Sequence, residues 1–539
     1  MNESWCALNK SVLPTGRRRL LAIAFIAVLS ILVASVTIGA FRAEPEGLTM
    51  TGLPEGVVGA SAMAALELRV DARGHDPNDM RLELDGEPVT GAVAGNAVSY
   101  RPGNLADGTH RFTAEIRSGG LLGFLKAGPG VTKIFTVDTE PPTVELSQPA
   151  SVPSYRQSVV LRGKATGADH VSVGTQSVPT AADGSFEITV PRAPVDAEMI
   201  AVDAAGNTAA KAINAAVDLP RIKAVHVTAY AWMHEGLRAG VLDMAREGRI
   251  NTVQLDIKDE DGIVGYDSQV PLARASGAAA GIYDARAALQ QLHDMNLSVV
   301  GRIVAFRDPT MAEWAWREGH RDWVIQNPSG EPYSSHYGAI AFTNFADPEI
   351  RKYNIDLAVE AAELGFDGIM YDYVRRPDGS LSQMQFPGLT DTPSVSIAQF
   401  LRESRDPVRD KGAHLGAAVF GIASTRPDAI AQDIPMIAQY VDYVAPMLYP
   451  SHWNPGEYDV ANPNSQPYDI VFRSLADFNI LTAGTHADVI PWLQDFSLGV
   501  NYGDAEVRAQ IDAAAAAGDT SFFLWNAATR YHSGALSPN

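Results

Sequence analysis

Three patterns of apolar and polar positions divide the chain. The first is an unbroken, uncharged apolar run from Leu20 to Phe41. At about 1.5 Å per residue it is long enough for a hydrocarbon core of ~30 Å. Lys10, Arg17, Arg18 and Arg19 precede it, which keeps residues 1–19 cytoplasmic and places the rest outside. A cleaved signal would have a core of ~7–15 residues ending in a small-x-small site. Here Phe41 stands at the −3 position of a cut after Ala43, and Ile38 at that of a cut after Ala40. The reading is a single-pass cell-membrane anchor over 20–41, with secretion after signal cleavage as the alternative.

The second pattern, over residues 44–220, has the period of two that marks half-buried strands. Leu66 to Ala72, Met80 to Val89, Ala97 to Pro102 and His110 to Ile116 alternate apolar and polar residues. Asp85-Gly86 and Asp107-Gly108 read as hairpin turns. Phe135 to Pro142 reads as the end of one module and a stiff Pro-Pro link. Ser158 to Gly167, His170 to Gly174, Asp183 to Pro191 and Glu198 to Val217 then supply a second set of strands. Two antiparallel β-sandwich modules are predicted, 44–138 and 139–220. Their V-D-x-x-P-P link and V-D-A-A-G-N hairpin resemble bacterial immunoglobulin-like domains.

The third pattern starts at Arg221, where short apolar runs alternate with amphipathic helical stretches. Eight strands are predicted: Lys223 to Ala231, Ile250 to Lys258, Leu297 to Phe306, Phe366 to Val374, His414 to Gly421, Val441 to Tyr449, Asn479 to His486 and Thr520 to Ala527. Helices fall between them, clearest at Asp284 to Met295, Asp347 to Gly365 and Asp504 to Gly518. The second opens on Asp-Pro and closes on Gly, as helix caps require. Eight such units over 221–539 fit a (β/α)8 TIM barrel with insertions.

Composition narrows the possibilities. The chain has 42 Lys+Arg against 63 Asp+Glu, a net charge of −21, which argues against a nucleic-acid partner. Its one cysteine, Cys6, excludes an internal disulfide and a cysteine metal site. The Asp256/Asp259/Asp261 alternation lacks the spacing and glycine of a Ca²⁺ loop and reads as a solvated acidic turn. No metal or cofactor is expected, and oligomeric state is not legible.

In a TIM barrel the reacting groups stand at the C-terminal ends of the strands. Those ends carry Tyr230 and Trp232; Asp256, Lys258, Asp259, Glu260 and Asp261; Arg302, Arg307 and Asp308; Asp372, Tyr373, Arg375 and Arg376; Met447, Tyr449, His452 and Trp453; Trp492, Gln494 and Asp495; Trp525 and Asn526. Rings beside carboxylates and amides suit a sugar, which has apolar faces and a hydroxyl rim. The sandwich modules contain no tryptophan, so they read as a spacer rather than as sugar binders.

Six motifs carry a family resemblance, in order along the chain: L-D-I-K-D (Leu255 to Asp259), G-R-I-V-A-F-R-D-P (Gly301 to Pro309), G-F-D-G-I-M-Y-D-Y-V-R-R-P (Gly365 to Pro377), A-P-M-L-Y-P-S-H-W (Ala445 to Trp453), W-L-Q-D-F (Trp492 to Phe496) and F-L-W-N-A (Phe523 to Ala527). The barrel resembles an uncharacterised family of glycoside-hydrolase barrels, distantly related to α-amylase-like ones. The resemblance implies an extracytoplasmic glycoside hydrolase acting on a cell-envelope or environmental polysaccharide or oligosaccharide. The chain departs from related patterns: Gly368 replaces a common acid, Val374 stands where chitinase-type barrels carry their acid, and no glutamate follows strand five.

Glycoside hydrolysis uses two carboxyl groups. Asp372 is the first candidate, with Arg375 or Arg376 expected to keep it ionised. The second is sought in the order Asp256, Glu260, Asp495. Lys258, Arg302, Tyr373, Arg376, Tyr449, His452, Trp453, Gln494 and Trp525 are the expected substrate contacts, and His452 is also a candidate acid. The alternative is a catalytically inactive barrel that binds glycan or serves as an envelope scaffold.

Overall fold

The computed structural model describes residues 48–117, 128–149, 151–213 and 215–538. The predicted cytoplasmic segment and the anchor over 20–41 lie outside them. Among the described residues no helix is long and apolar enough to cross a membrane. The described chain divides into two compact units. Among the described residues, one comprises those up to Ser147 with Arg162–Ile188 and Glu198–Ala212; the other comprises 148–161, Thr189–Ala197 and those from Ile213.

The N-terminal region is all β apart from single short turns of helix. A four-stranded sheet (Thr49–Thr51, Leu68–Asp71, Ala97–Tyr100, Ala92–Ala94) and a five-stranded one (Val57–Val58, Gly130–Val137, Gly108–Ile116, Met80–Leu84, Glu87–Val89) share a core that includes Leu68, Val70, Val98, Phe112 and Phe135. Asp85 and Gly86 have φ of 53° and 88°, the two positive angles of the tight hairpin expected there. Asp107-Gly108 is not a hairpin: the strand before it, Ala97–Tyr100, belongs to the other sheet. Its Asp107 instead accepts from Thr139 N and Oγ1. Two further sheets follow, of three strands (Thr143–Ser147, Val159–Thr166, Ser185–Val190) and four (Gln176–Pro179, His170–Val173, Ala197–Val202, Thr208–Ile213).

From Lys223 the strands are parallel and close on themselves. They are β1 (Lys223–Val227), β2 (Thr252–Lys258), β3 (Ser298–Val304), β4 (Gly368–Asp372), β5 (His414–Phe420), β6 (Tyr443–Met447), β7 in two pieces (Asp488–Val489 and Trp492–Gln494) and β8 (Phe522–Trp525). Each pairs with the next, and β8 pairs with β1. This is the eight-stranded parallel barrel of a TIM fold. Nearly every strand residue is buried, because one face looks into the barrel and the other under the helices; parallel strands therefore read as continuous apolar runs. The helix Pro348–Leu364 is set by its caps: Asp347 accepts from Glu349 N and Ile350 N, Pro348 opens it, and Gly365 closes it at φ 122°.

Two features of the barrel depart from expectation. Asn479 to His486 is not a strand. It ends the helix Pro467–Thr482, whose buried Ile470, Val471, Ser474, Leu475 and Phe478 recur at helical spacing. The seventh strand is made of two short pieces, Asp488–Val489 and Trp492–Gln494, both paired with β6. In addition, β2 shifts register against β3 between Asp256 and Lys258. Such a bulge turns the next side chain to the other face.

Inside the barrel Tyr443 occupies space that only glycine leaves open on β5. A Cβ at Gly416 would lie 2.2 Å from Cζ of that ring. Gly416→Ala is expected to destabilise the protein by about 1–3 kcal/mol through overpacking, measured by chemical denaturation. An unchanged midpoint would mean that the ring moves freely, contrary to the packing described.

Candidate active site

The C-terminal ends of the barrel strands surround a cavity of about 440 Å³, within the usual size range for small-molecule sites. Its acidic and basic lining is Glu260 from the loop after β2, Arg302 on β3 and Asp372 at the end of β4. Aromatic and apolar side chains from the other strands complete it: Tyr373, Phe420, Ile422, Met447, Tyr449, Trp453, Trp492 and Trp525, with His452 and the loop residue Tyr337. Gly421 lines it as well. A Cβ there would meet Met447 O and the Trp453 ring, each at 2.7 Å, so the β5 and β6 loops close together only because that position has no side chain.

Arg302 organises the charges. It is 1 % exposed and stands over the Trp525 ring, 5.1 Å from its centroid. Its Nε and Nη2 donate to Asp372 Oδ2 at 2.9 and 2.6 Å, and its Nη1 donates to Asp256 Oδ1 at 3.1 Å. Nη2 also donates to Glu260 Oε1. Two acceptors of one nitrogen lie within about 6 Å of each other, so Asp372 and Glu260 face the cavity as a close pair. The cation beside Asp372 is thus Arg302 and not, as expected, Arg375 or Arg376. Asp372 is fixed from the other side by Tyr373 N, which donates to Oδ1 at 2.6 Å. Tyr373 adopts φ 48°, a left-handed conformation that costs a bulky residue about 1–2 kcal/mol.

Asp256 lies one layer deeper and does not line the cavity. Its Oδ1 meets Nε2 of the fully buried His226 at 2.8 Å, and its backbone carbonyl accepts from Tyr283 OH. The His226 ring stacks on Trp525 with centroids 4.2 Å apart. Nothing singled out His226 in the sequence, although its place in the apolar run K-A-V-H-V put it on an inward-facing position. Tyr337 and Phe420 are not legible in the sequence as site residues: the first sits in a long loop without periodicity, the second at the end of a strand that carries no acid.

Several expected contacts lie elsewhere. Lys258 does not point into the mouth. The β2 bulge turns it outward, where it is fully buried and donates to Asp308 Oδ2 (2.6 Å), Asn354 Oδ1 (2.9 Å) and Ala305 O (3.1 Å). Arg376 is buried against the backbone carbonyls of Pro377, Gly379 and Asp428. Gln494 is buried and accepts from Ser451 N at 3.0 Å, so it holds the turn that carries His452 rather than the cavity itself. Asp495 is committed to His532, through Nδ1 at 2.5 Å and the backbone N at 3.0 Å. Burial pushes its carboxyl up, though these bonds oppose the shift. Asp259 caps the turn after β2 by accepting from Asp261 N and Ile263 N, and burial together with Asp256 and Glu260 raises it to about 6. His452 does line the cavity, and burial lowers its pKa, which favours the neutral ring. Tyr449 is raised well above its ordinary value by burial and by Asp372, and stays protonated.

Residues 224–531, more than half of the chain, match the model of a family described as "Putative glycosyl hydrolase domain". The chain belongs to this family. It is accordingly a glycan-acting enzyme of the glycoside hydrolase class. Among solved structures, a hypothetical protein from Ruminiclostridium thermocellum is 30% identical, covering 36% of this chain and 96% of that one, with a TM-score of 0.32. The PgaB (BpsB) glycoside hydrolase domain from Bordetella bronchiseptica is 13% identical, covering 57% and 95%, with a TM-score of 0.44. An α-galactosidase from Thermus thermophilus is 12% identical, covering 71% and 90%, with a TM-score of 0.37. No curated protein matches the chain.

In the glycosyl hydrolase domain the protonation of Glu260 reflects opposing effects. Burial raises its pKa, but the Arg302 charge and hydrogen bond outweigh burial and bring it down from 4.5 to about 2. A carboxyl depressed in the folded state adds stability that is complete above its unfolded pKa and is lost as pH falls through the folded one. The stability difference between the wild type and Glu260→Gln is therefore expected to be constant above about pH 5 and to shrink from about pH 4.5 toward pH 2. Denaturation curves at a series of pH values read this directly, and a difference independent of pH would contradict the pairing.

Proposed function

We propose that the chain hydrolyses a glycan in the β-barrel cavity, with Asp372 as nucleophile and Glu260 as acid/base. The observation that carries this reading is the sharing of Arg302 Nη2 by both carboxylates. It sets them close to the ~5–5.5 Å of retaining glycosidases and nearer than the ~6.5–9.5 Å of inverting ones. Arg302 and the backbone N of Tyr373 hold the Asp372 carboxylate in place. Glu260 is partly accessible, with 30% of its side chain exposed. A sugar that inserts between it and Arg302 removes the ion pair and leaves only burial, which raises its pKa toward that of a proton donor. Asp256, held by His226, keeps Arg302 in register from below. Trp525, Trp492, Trp453 and Tyr449 line the cavity with the rings that suit a sugar's apolar faces, and His452 adds a hydrogen-bonding group.

A second reading is favoured by the same ion pair: with every site carboxylate tied to Arg302, the barrel binds glycan without cleaving it. A screen of the protein against α- and β-linked glycans separates the two. Release of reducing sugar that is lost in Asp372→Asn and in Glu260→Gln supports hydrolysis. Binding without release supports the second reading, and activity unchanged in Asp372→Asn overturns the assignment.

The apolar run over 20–41 would tether this enzyme to a cell membrane with the sheets and barrel outside, and the sandwich modules, which are immunoglobulin-like in sequence, would serve as a spacer. Recovery of the chain in the membrane fraction, accessible to added protease in intact cells, tests the tether; soluble export with a shortened N-terminus favours signal cleavage.

A further inference from the structure

One wall of the cavity differs chemically from the rest. Tyr337 and Tyr373 both line it, and each hydroxyl is backed by a guanidinium. Arg375 Nη2 donates to Tyr337 OH at 2.9 Å, and Arg307 Nη1 donates to Tyr373 OH at 3.0 Å. A phenol oxygen that accepts from a cation has its own proton left to give, and the cation makes it a stronger donor. Among the described residues neither phenol donates to a protein acceptor. The guanidiniums also stack on the rings, Arg307 at 5.0 and 5.2 Å from the Tyr337 and Tyr373 centroids and Arg375 at 5.4 and 4.7 Å.

The charge on this wall is poorly balanced. Arg375 has a fully buried side chain, and its carboxylate neighbour is Asp378 at 3.9 Å, which is shared with His336 at 3.6 Å. Arg307 is half-buried, forms no ion pair among the described residues, and has its buried Nε without a hydrogen-bond partner. In a chain of net charge −21, two under-compensated cations behind a pair of proton-donating phenols are a local reversal of sign. Asp372 and Glu260, which also line the cavity, share the Arg302 guanidinium, and their charge disfavours an anion placed beside them. An acidic substituent is thereby drawn to one side and turned from the carboxylate pair.

We propose that Tyr337 and Tyr373, backed by Arg375 and Arg307, form an anion-recognising subsite, and that the glycan taken by this cavity carries an acidic group, either a uronate carboxylate or a sulfate or phosphate ester. The proposal rests on reading the cavity as a glycan site. Binding is measured with the full chain carrying Asp372→Asn, so that turnover does not intervene, against an array of uronate, sulfated, phosphorylated and neutral glycans. The best acidic ligand is then compared with its neutral counterpart, carboxyl-reduced or de-esterified.

The acidic member is expected to bind about ten-fold more tightly, as for a hydrogen bond to a charged group. That preference is expected to fall below about three-fold in Arg307→Ala and in Tyr373→Phe, and to persist in part in Arg307→Lys. Whether carboxylates or esters show it identifies the anion. Variants are compared only where their melting temperatures match the parent. Should these fail to fold, Tyr337→Phe, which deletes the other hydroxyl, is read in the same way. Neutral ligands bound as well as acidic ones, no acidic ligand bound at all, or a preference untouched by Arg307→Ala each overturns the proposal. Acidic preference without hydrolysis by the wild type counts against the catalytic reading alone, and hydrolysis of neutral glycans without preference counts against the subsite alone.

Discussion

Asp372→Asn is expected to lower kcat on the glycan that the wild type cleaves by about 10³-fold or more, with little change in KM. The amide keeps the shape of the carboxylate, and its single oxygen can accept from Arg302 or from Tyr373 N but not from both, so the size of the cavity is preserved while one of these bonds is lost. What it removes is the charge and the nucleophile. Glu260→Gln should also slow the reaction, by about 10²–10⁴-fold, but differently. In Asp372→Gly a small anion such as azide or formate, added from solution, can occupy the vacated place and restore glycosyl transfer. In Glu260→Gln the nucleophile remains, so substrates with good leaving groups are spared in their first step. Rescue of Glu260→Gln but not of Asp372→Gly in the glycosylation step would exchange the two roles.

Arg302→Met is expected to be the most damaging substitution for the fold of the site. The guanidinium is 1 % exposed and neutralises Asp256, Asp372 and Glu260 together. Removing it leaves buried carboxylates without a counter-charge, a change that costs about 3–5 kcal/mol and lowers the melting midpoint by about 10 °C for a domain of this size. The loss should lessen on acidification, because protonating the stranded carboxylates relieves their repulsion. Arg302→Lys keeps the charge but cannot bond three acids from a planar fork, so it should recover stability in part and activity poorly. Melting curves of the variants at pH 5 and pH 7.5 test this. A midpoint for Arg302→Met within about 2 °C of the wild type would show that the acids find other partners.

The barrel was legible because its strands are buried on both faces and its helices carry caps, and both leave marks in sequence. The seventh strand was not. Pieces of two and three residues on either side of Ile490 and Pro491 are too short to show a period, while the helix end N-I-L-T before them is apolar and β-branched enough to imitate a strand. Of the candidate residues, Asp372, Glu260, Arg302, Tyr373, Tyr449, His452, Trp453 and Trp525 line one cavity, whereas Asp256, Lys258, Arg376 and Gln494 do not. Partnerships were beyond reach. Arg302 lies 70 positions from Asp372 in the chain, whereas Arg375 and Arg376, its neighbours in sequence, bond elsewhere. Lys258 shows a subtler failure: strict alternation puts it with Asp256, and only the bulge, which no residue announces, sends it to the opposite face.

The shared guanidinium also constrains how such a site changes over generations. Because three acids lean on one cation, the effect of replacing any of them depends on which others are still present. Loss of Asp256 frees Arg302 to bind Asp372 and Glu260 more tightly, while loss of Arg302 turns each acid from a benefit into a liability. Substitutions here should be strongly epistatic, with double mutants far from the sum of the singles. Descendants that lose the chemistry are then expected to shed the arginine and its acids together, leaving few intermediates between an intact charge cluster and an apolar one.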